Sequence, residues 1–361
     1  MKILIVDTCY DAFLTAHYAS NPGLAERPYD EQWRSLMDRF FGTADSYSFH
    51  LRLLGHEAHE VIANCVPLQD AWAKEHGLVP SRSVGTRWRR RQGSIVLAQA
   101  EELGADVVYF QDLWYLDRLL LWRLKRQGVF VVGQIASEAP TAGKLRAFDL
   151  LLTSFPHYVE RFRELGVTAE YFRIGFDERV LDRMREAPAE QHDTVFVGAL
   201  NRTQHRGGNA VLAEAAESLP IDFWGLGAET WPEGSPIRLR HHGEAWGLEM
   251  FRILRGARIA LNRHIEVAEH NANNMRLYEA TGVGSLLLTD SKSNLAELFA
   301  PGEEVVTYDD ADELVTKARY FLEHDDERRA IASAGQRRTL GEHTYALRMQ
   351  ELVEILGRAI R

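Results

Sequence analysis

Three titratable residues in the first half of the chain are candidates for proton transfer. His17 comes after the apolar run Lys2–Val6 and before a stretch with Pro and Gly, which predicts a loop position from which it would act as a base toward a hydroxyl group. Asp112 and Glu138 each come shortly after a later apolar run. A carboxylate there can accept a proton or contact a substrate, and capping of the next helix is an equal alternative. We therefore predict His17, Asp112 and Glu138 as catalytic groups.

The second half contains an anion-binding pattern. Gly207-Gly208 precedes a predicted helix over Asn209–Ser218, and a helix N-terminus offers free backbone N–H groups to an anion. Gly225 and Gly227 form a GxG that also fits a simple tight turn. Neither GxSxG nor GxxxxGK[ST] occurs, which argues against an α/β-hydrolase and a P-loop kinase. No carboxylate cluster accompanies the histidines, so no metal site is predicted.

Short apolar runs alternate with longer amphipathic segments along almost the whole chain. This order predicts parallel strands separated by helices. The polar stretch 176–193, interrupted by Pro188, indicates a linker. The predicted strands are Lys2–Val6, Val61–Ile62, Asp106–Phe110, Val129–Ile135, Asp149–Thr153, Glu170–Ile174, Thr194–Val197, Ile221–Trp224, Ile237–Arg240, Arg258–Leu261, Ser285–Leu288 and Glu304–Thr307.

The predicted fold class is therefore α/β, with two doubly wound Rossmann-like domains that face each other across a cleft. Open α/β sheets bind ligands at the carboxyl ends of their strands, so the cleft is the expected site. We predict domains over 1–178 and 190–340. A C-terminal helix over 341–361 is predicted to pack back toward the first domain. Apolar residues at helical spacing also predict a helix that runs from Trp33 through Phe41.

Composition excludes several classes of protein. The 361 residues include 42 Lys and Arg against 52 Asp and Glu, and this net charge of −10 disfavours bulk nucleic-acid binding. Two cysteines cannot form a disulfide framework or a cysteine zinc site. The start lacks a signal-peptide pattern and no apolar run spans a membrane, so we expect a cytoplasmic protein. The basic cluster Arg87–Arg91 indicates a solvated face, or alternatively contact with an anionic acceptor or a peripheral membrane surface.

The most specific segment is NNMRLYEATGVGSLLLTDSKSNLAELFAPGEE at 273–304, supported by VFVGALNRTQHRGG at 195–208 and DFWGLGAE at 222–229. This pattern resembles the group-1 glycosyltransferases of the GT-B fold, especially the branch related to the CgeB spore-maturation protein. The resemblance covers the chain from Asp193 to the end. It is weaker in the first half, where GQIASEAP at 133–140 and FRIGFDERVL at 172–181 carry it.

The resemblance implies a nucleotide-sugar donor site in the second domain. Glu279 takes the position of the family's ribose-binding glutamate, and a carboxylate can accept two hydrogen bonds from a vicinal diol. The family's second glutamate, eight residues earlier, is replaced by Asn271, with Glu269 nearby, which leaves the stereochemical outcome open. The nucleobase of the donor would lie near His242 and Gly243. The diphosphate would bind to the pair Arg202 and Arg206, for which a solvated surface position is the alternative. The remaining candidates for donor contacts are Arg276, Asn273, Asn274 and Ser293, of which the two asparagines can instead cap a helix.

The resemblance implies a hexosyltransferase that moves a sugar from a nucleotide-diphosphate donor, such as a UDP-sugar, to a hydroxyl acceptor. The acceptor would be a glycan, a lipid-linked molecule or a small molecule, and neither a metal nor a cofactor is expected. A nucleotide-sugar epimerase of the same fold is one alternative. A non-catalytic nucleotide or sugar sensor is another, since MKILIVD also resembles receiver domains, although Asp7 lacks the usual adjacent acid. Nucleotide binding followed by donor hydrolysis assays distinguishes these functions.

Overall fold

A computed structural model describes residues 1–78, 86–115, 118–185, 190–202 and 206–360, and the side chains at 86–90 and 206 lie outside this description. The chain forms two compact units. The first comprises Met1–Arg173 and the chain from Arg348 onward, and the second comprises Ile174–Leu347. In the described ranges, every helix is too short or too polar to cross a lipid bilayer.

The first unit is built on a six-stranded parallel sheet with the order β2-β1-β3-β4-β5-β6. All four central residues of β1 are buried, as expected for a parallel strand that is covered on both faces. The strands are β1 (Lys2–Asp7), β2 (Glu57–Ile62), β3 (Val107–Phe110), β4 (Phe130–Gln134), β5 (Leu150–Thr153) and β6 (Ala169–Tyr171). The helices are α1 (Asp11–Ala19), α2 (Tyr29–Met37), α3 (Ser46–Leu53), α4 (Val66–Glu75), α5 (Thr86–Leu103), α6 (Arg118–Arg126), α7 (Ala142–Leu145) and α8 (Pro156–Glu164).

The second unit is built on a five-stranded parallel sheet with the order β11-β10-β9-β7-β8. Apolar side chains of the strands and helices form its core, including Ile259, Leu261, Leu286 and Leu288. The strands are β7 (His192–Val197), β8 (Asp222–Trp224), β9 (Ala257–Asn262), β10 (Leu286–Asp290) and β11 (Val306–Tyr308). The helices are α9 (Arg179–Asp182), α10 (Arg206–Ala216), α11 (Pro236–Leu239), α12 (Leu248–Arg255), α13 (Met275–Gly282), α14 (Ala311–Glu323), α15 (Asp325–Glu342) and α16 (Tyr345–Ala359), the last of which continues into the first unit.

Each sheet contains one point where the chain leaves neighbouring strands in opposite directions. In the first sheet this point lies between β1 and β3, and in the second it lies between β7 and β9. A crevice forms outside the carboxyl ends of two such strands, and open α/β sheets bind ligands there. The predicted pair of doubly wound α/β folds is confirmed, and these two edges are where functional residues are expected.

Two local predictions were wrong. The predicted strand Ile237–Arg240 is mostly the short helix α11, which starts at an N-cap formed by Ser235 with Pro236 as its first residue. A Ser-Pro pair is a helix start signal, and it outweighs the β-branched residue that follows. The predicted helix through Phe41 ends at Met37, and Phe40 adopts a φ of 53° in the turn that follows.

A buried carboxyl in β2 makes the stability of the first unit depend on pH. Glu60 is only 1% exposed, and its Oε1 accepts the backbone N–H of Ser48 at 2.6 Å. Its Oε2 is buried without a hydrogen-bond partner among the described residues. Burial raises the pKa of Glu60 to about 8, although the Ser48 hydrogen bonds oppose the rise. The folded protein therefore retains a proton on Glu60 at pH values where the unfolded chain has lost it.

We expect Glu60→Gln to become increasingly more stable than the wild type as the pH rises from about 4.5 to about 8. The wild type must either hold the proton or bury a charge in this range, whereas glutamine does neither. Urea unfolding at about pH 5 and about pH 8.5 should show the free-energy advantage growing by more than about 1 kcal/mol. Glu57→Gln, at a half-exposed position of the same strand, is the control and should show no such growth. A difference in the free energy of unfolding that does not change with pH would contradict the raised pKa of Glu60.

Candidate functional site

A buried ion pair lies at the carboxyl end of β7. The Nη1 atom of Arg276 is 2.9 Å from Oε2 of Glu279, one turn further along α13. The Nη2 atom of the same guanidinium donates to the carbonyl of Val197, the last residue of β7, at 3.0 Å. Glu279 is 7% exposed, and burial raises the pKa of its carboxyl while Arg276 offsets part of the rise. Two predicted donor-binding residues therefore meet at the carboxyl edge of the second sheet.

The start of α13 is fixed to the end of β9 by an asparagine. The Oδ1 atom of Asn274 accepts the N–H of Leu277 and caps the helix. Its Nδ2 atom donates to Oδ1 of Asn262 at 2.8 Å and to the carbonyl of Arg263 at 3.0 Å. The side chain of Asn274 thus has the capping role that the sequence offered as its alternative. The neighbouring Asn273 is buried with 4% of its surface exposed.

Arg263 ties the end of β9 to the loop that follows β7, and sequence reasoning missed it. Its Nε donates to Oδ1 of Asn209 at 2.7 Å, and its Nη2 donates to the carbonyl of Ala199 at 2.8 Å. The guanidinium carbon lies 5.7 Å from the ring centroid of Phe196. A Cβ on Gly208 would approach the Cδ of Arg263 to 2.3 Å. The glycine therefore leaves the space that this arginine occupies beside α10.

The loop after β7 also presents the predicted Arg202. A Cβ on Gly225, where φ is 133°, would lie 1.9 Å from the carbonyl oxygen of Gly198, so glycine permits the close approach of the two loops. The side chain of Arg202 is exposed, and its guanidinium carbon lies 5.6 Å from the ring centroid of Trp231. Its backbone N–H donates to the hydroxyl of Thr230 at 3.0 Å. The guanidinium of Arg202 is thus exposed to solvent and lies over the ring of Trp231.

The N-terminus of α10 is in contact with a carboxylate. The helix begins at Arg206, whose side chain lies outside the described residues, so its predicted phosphate contact stays a prediction. The N–H of Gly207, which lies in the first turn, donates to Oε1 of Glu266 at 3.2 Å. Because free N–H groups and the helix dipole favour negative charge, a carboxylate is a natural occupant of this position. The contact shows that this helix start is accessible to an anionic group.

A histidine and an aspartate are paired at the ends of β9 and β10. The Nδ1 atom of His264 lies 2.6 Å from Oδ1 of Asp290, which also accepts the backbone N–H of His264. The Nε2 atom of His264 is buried without a hydrogen-bond partner among the described residues. Burial acts to raise the pKa of Asp290, but the His264 hydrogen bond and the charge of Lys292 hold it below its usual range. Neither His264 nor Asp290 had been predicted from the sequence, because the contact joins the ends of two strands that are distant along the chain.

The segment before α13 is attached to the loop after β10. Both the N–H and the hydroxyl of Ser293 donate to the carbonyl of His270 at 2.8 Å. The Oδ1 atom of Asn294 accepts the N–H of Ala272 at 2.5 Å. Asn271, which replaces the glutamate of the family, lies between these two anchored positions. The hydroxyl of Ser293, predicted as a donor contact, therefore holds this segment in place.

His242 and Gly243 lie beside β8. The Nε2 atom of His242 is 3.0 Å from Oδ1 of Asp222, the first residue of β8, and the imidazole stacks on the ring of Trp224. The carbonyl of Gly243 accepts the N–H of Gly225, just beyond the carboxyl end of the strand. The two residues predicted to contact the nucleobase thus differ in position. Gly243 lies at the carboxyl edge of the sheet, whereas the side chain of His242 is bound at the amino end of β8.

The predicted loop position of His17 was wrong. His17 lies in the last turn of α1 and is 4% exposed, because Phe13, Leu14 and His17 share the buried face of this helix. Its Nε2 is 3.4 Å from the hydroxyl oxygen of Ser35. Burial, with a contribution from Arg39, lowers the pKa of the imidazole. The spacing of Phe13, Leu14 and His17 is itself the helical signal that could have indicated burial.

The two predicted carboxylates of the first unit have different surroundings. The Oδ1 atom of Asp112 accepts the N–H groups of Trp114 and Tyr115, and its Oδ2 accepts the hydroxyl of Thr8 at 2.8 Å. Its Oδ1 therefore holds the turn after β3, whereas its Oδ2 joins that turn to the loop after β1. The side chain of Glu138 is exposed, and its carbonyl accepts the indole N–H of Trp114 at 3.0 Å.

Comparison with known proteins identifies the fold. Residues 202–354 match a family model described as glycosyl transferase-like. No curated protein sequence matches the chain. A structure of HepE from Anabaena in complex with UDP-glucose is 13% identical, with a TM-score of 0.64, and the match covers 99% of this chain and 100% of that chain. The fold is a GT-B fold. The predicted fold class is confirmed, and the resemblance to glycosyltransferases is confirmed for the matched region, while the CgeB-like branch stays a prediction.

Two further solved structures share this fold. Sucrose-phosphate synthase from Thermosynechococcus elongatus is 12% identical, with a TM-score of 0.61, and the match covers 99% of this chain and 100% of that chain. AviGT4, a glycosyltransferase involved in avilamycin A biosynthesis, is 14% identical, with a TM-score of 0.58, and the match covers 100% of this chain and 98% of that chain. At these identities the likeness establishes the GT-B fold alone.

Proposed function

We propose that this GT-B protein is a hexosyltransferase that transfers a sugar from a UDP-sugar to a hydroxyl acceptor without a metal ion. The observation that carries the proposal is the buried Glu279, paired with Arg276 at the carboxyl edge of the second sheet. The glycosyl transferase-like match spans this pair, and HepE, a protein of the same fold, has been crystallised with UDP-glucose and with UDP and glucose. Together these findings support a nucleotide-sugar donor.

The residues around the pair suggest how the donor is held. Glu279 accepts hydrogen bonds from the two ribose hydroxyls, because an ionised carboxylate offers two acceptor oxygens. The diphosphate binds at the start of α10 and displaces the Glu266 carboxylate from the N–H of Gly207. Arg202, exposed on Trp231, pairs with the same diphosphate. These cationic and N–H groups stabilise the negative charge that develops on the leaving nucleoside diphosphate.

The acceptor and the location of the protein stay predictions. We propose a cytoplasmic enzyme whose acceptor is a glycan, a lipid-linked molecule or a small hydroxyl compound. Within the predicted basic cluster only Arg91 has a described side chain, and it pairs with Asp70. Peripheral membrane contact by the remainder of that cluster is therefore a proposal from the sequence alone.

The proposal is tested by turnover of sugar nucleotides in EDTA. The protein is incubated with UDP-glucose and with a panel of UDP-, GDP-, ADP- and dTDP-sugars, and release of the nucleoside diphosphate is followed by chromatography. We expect one base to be preferred, with equal rates in EDTA and in magnesium. Conversion of the donor into an epimer without release of nucleotide would support the epimerase instead. Binding without any consumption would support a sensor, and failure of every nucleotide to bind would contradict a donor site.

A further inference from the structure

Helix α6 of the first unit carries apolar side chains on its outer side as well as on its inner side. The inner side chains Leu120, Leu121 and Leu124 are buried. Leu119 and Trp122 lie one turn apart on the opposite side of the helix, where they are 45% and 52% exposed. A surface helix ordinarily presents charged or polar residues to water. The two exposed apolar side chains therefore form a patch that lies outside the core of this unit.

Exposed arginines surround this apolar patch. Arg118 and Arg126 lie one turn before and one turn after Trp122, and Arg123 lies one turn after Leu119. The guanidinium carbon of Arg126 lies 4.8 Å from the ring centroid of Trp122, so the cation packs on the aromatic face. These five side chains, which we call the α6 face, combine apolar surface with three positive charges on one side of a single helix.

The charge of the α6 face is not neutralised within the unit. The helix sequence RLLLWRLKR contains four cationic residues and no acidic residue. Lys125 pairs with Asp149 at 2.7 Å, whereas Arg118, Arg123 and Arg126 form no ion pair with any acid in the described part of the chain. The whole chain has a net charge of −10, so this face is cationic on an acidic protein. A partner of negative charge would be attracted to it.

A second exposed tryptophan lies beside the start of α6. Trp114 is 51% exposed, and its indole N–H donates to the carbonyl of Glu138 at 3.0 Å. The Nζ atom of Lys144 donates to the carbonyl of Trp114 at 3.4 Å. A Cβ on the neighbouring Gly143 would lie 3.6 Å from Nη1 of Arg118, so α7 contacts both the tryptophan and the α6 face. The apolar and cationic surface therefore continues from α6 to α7.

We propose that the α6 face docks the first unit on an anionic lipid bilayer. Tryptophan and leucine side chains enter the boundary between headgroups and acyl chains, while arginines of the same helix contact anionic headgroups. A small sugar or nucleotide is bound in a concave site, whereas these side chains stand on the outer side of a helix. The net negative charge of the chain disfavours a nucleic acid. The proposal is independent of the donor site in the second unit.

Vesicle binding by the full chain tests the proposal. Vesicles of phosphatidylcholine mixed with phosphatidylglycerol are compared with vesicles of phosphatidylcholine alone, and bound protein is measured by flotation. We expect binding to the anionic vesicles only, and we expect it to weaken as salt screens the charges. Trp122→Ser should weaken this binding by more than about tenfold, because it removes apolar area that enters the bilayer. Arg123→Gln combined with Arg126→Gln should weaken it by about 10- to 50-fold at low salt, since each cation contributes about fivefold.

Two controls in the second unit match these changes. Leu239→Ser, at a leucine of α11 that is 70% exposed, and Arg252→Gln, exposed on α12, should bind vesicles as the wild type does. Thermal unfolding should show that every variant is folded, because all of these positions are exposed. Calorimetry should show the wild-type Kd for UDP in the α6 variants, so a failure of vesicle binding and a failure of the donor site are distinguishable.

Several results would overturn docking on a bilayer. They are equal binding to neutral and anionic vesicles, absence of vesicle binding by the wild type, and unchanged binding by Trp122→Ser. The last result would leave the basic cluster Arg87–Arg91 as the contact with the vesicles. Self-association of the wild type that Trp122→Ser abolishes, without vesicle binding, would assign the α6 face to a second copy of the chain instead. Sedimentation velocity measures that self-association.

Discussion

Replacement of Glu279 by glutamine is expected to raise the Kd for UDP by about 10- to 100-fold, or about 1.4 to 2.7 kcal/mol. Glutamine keeps the shape of the side chain but offers one acceptor oxygen and no charge to the ribose diol. Arg276, 2.9 Å away, also loses its ion-pair partner. Isothermal titration calorimetry of the wild type and the variant measures the change directly.

A modified ligand separates contact with the ribose from a structural effect of Glu279. The wild type should bind 2′,3′-dideoxy-UDP about as weakly as Glu279→Gln binds UDP, and the variant should distinguish the two nucleotides by less than about threefold. Glu249→Gln, exposed in the first turn of α12, is the matched control and should bind UDP normally. If the variant still prefers UDP over the dideoxy nucleotide as strongly as the wild type does, the ribose contact is made elsewhere.

Replacement of Arg263 by methionine is expected to lower the free energy of unfolding by about 2 to 4 kcal/mol. Methionine has a similar length but cannot donate to Oδ1 of Asn209 or to the carbonyl of Ala199, and both acceptors lose these hydrogen bonds. The same change should raise the Kd for UDP more than tenfold, because this arginine holds the loop after β7 against β9. Urea unfolding and calorimetry measure the two effects.

The effect of Arg263 depends on its geometry as well as its charge. Arg263→Lys keeps the charge but cannot form both hydrogen bonds with one planar group, so it should recover less than half of the lost unfolding free energy. Arg252→Met, exposed on α12, controls for loss of a positive charge and should change neither quantity. Normal UDP binding by a destabilised Arg263→Met would show that the arginine supports only the fold.

Much of the fold is predictable from sequence because each strand is a short apolar run between amphipathic segments. Burial on both faces of β1 produces the continuous apolar pattern of Ile3–Val6. Glu279 was located through the family resemblance of 273–304, and an N-cap at Asn274 and a glycine at position 282 place it on a helix. These signals are local conformational preferences, and such preferences are kept in the folded protein when the packing around them favours the same conformation.

Other features of the site depend on contacts between distant parts of the chain. Arg263 is buried because Gly208 leaves space for it, and no pattern near position 263 indicates this. Asp112 follows a strand, and only the folded chain shows that its Oδ2 accepts the hydroxyl of Thr8, from the loop after a different strand. His17 was misplaced in a loop because the apolar face of α1 is short and its other positions are polar or small.

The most direct test of the donor site is a crystal structure of the intact protein with UDP. We expect both ribose hydroxyls to lie within about 3 Å of the carboxylate oxygens of Glu279. We also expect the diphosphate to lie at the start of α10, with the Glu266 carboxylate withdrawn from Gly207. A nucleotide bound elsewhere, or a ribose more than about 6 Å from Glu279 with the Arg276 pair unchanged, would contradict the proposed donor site.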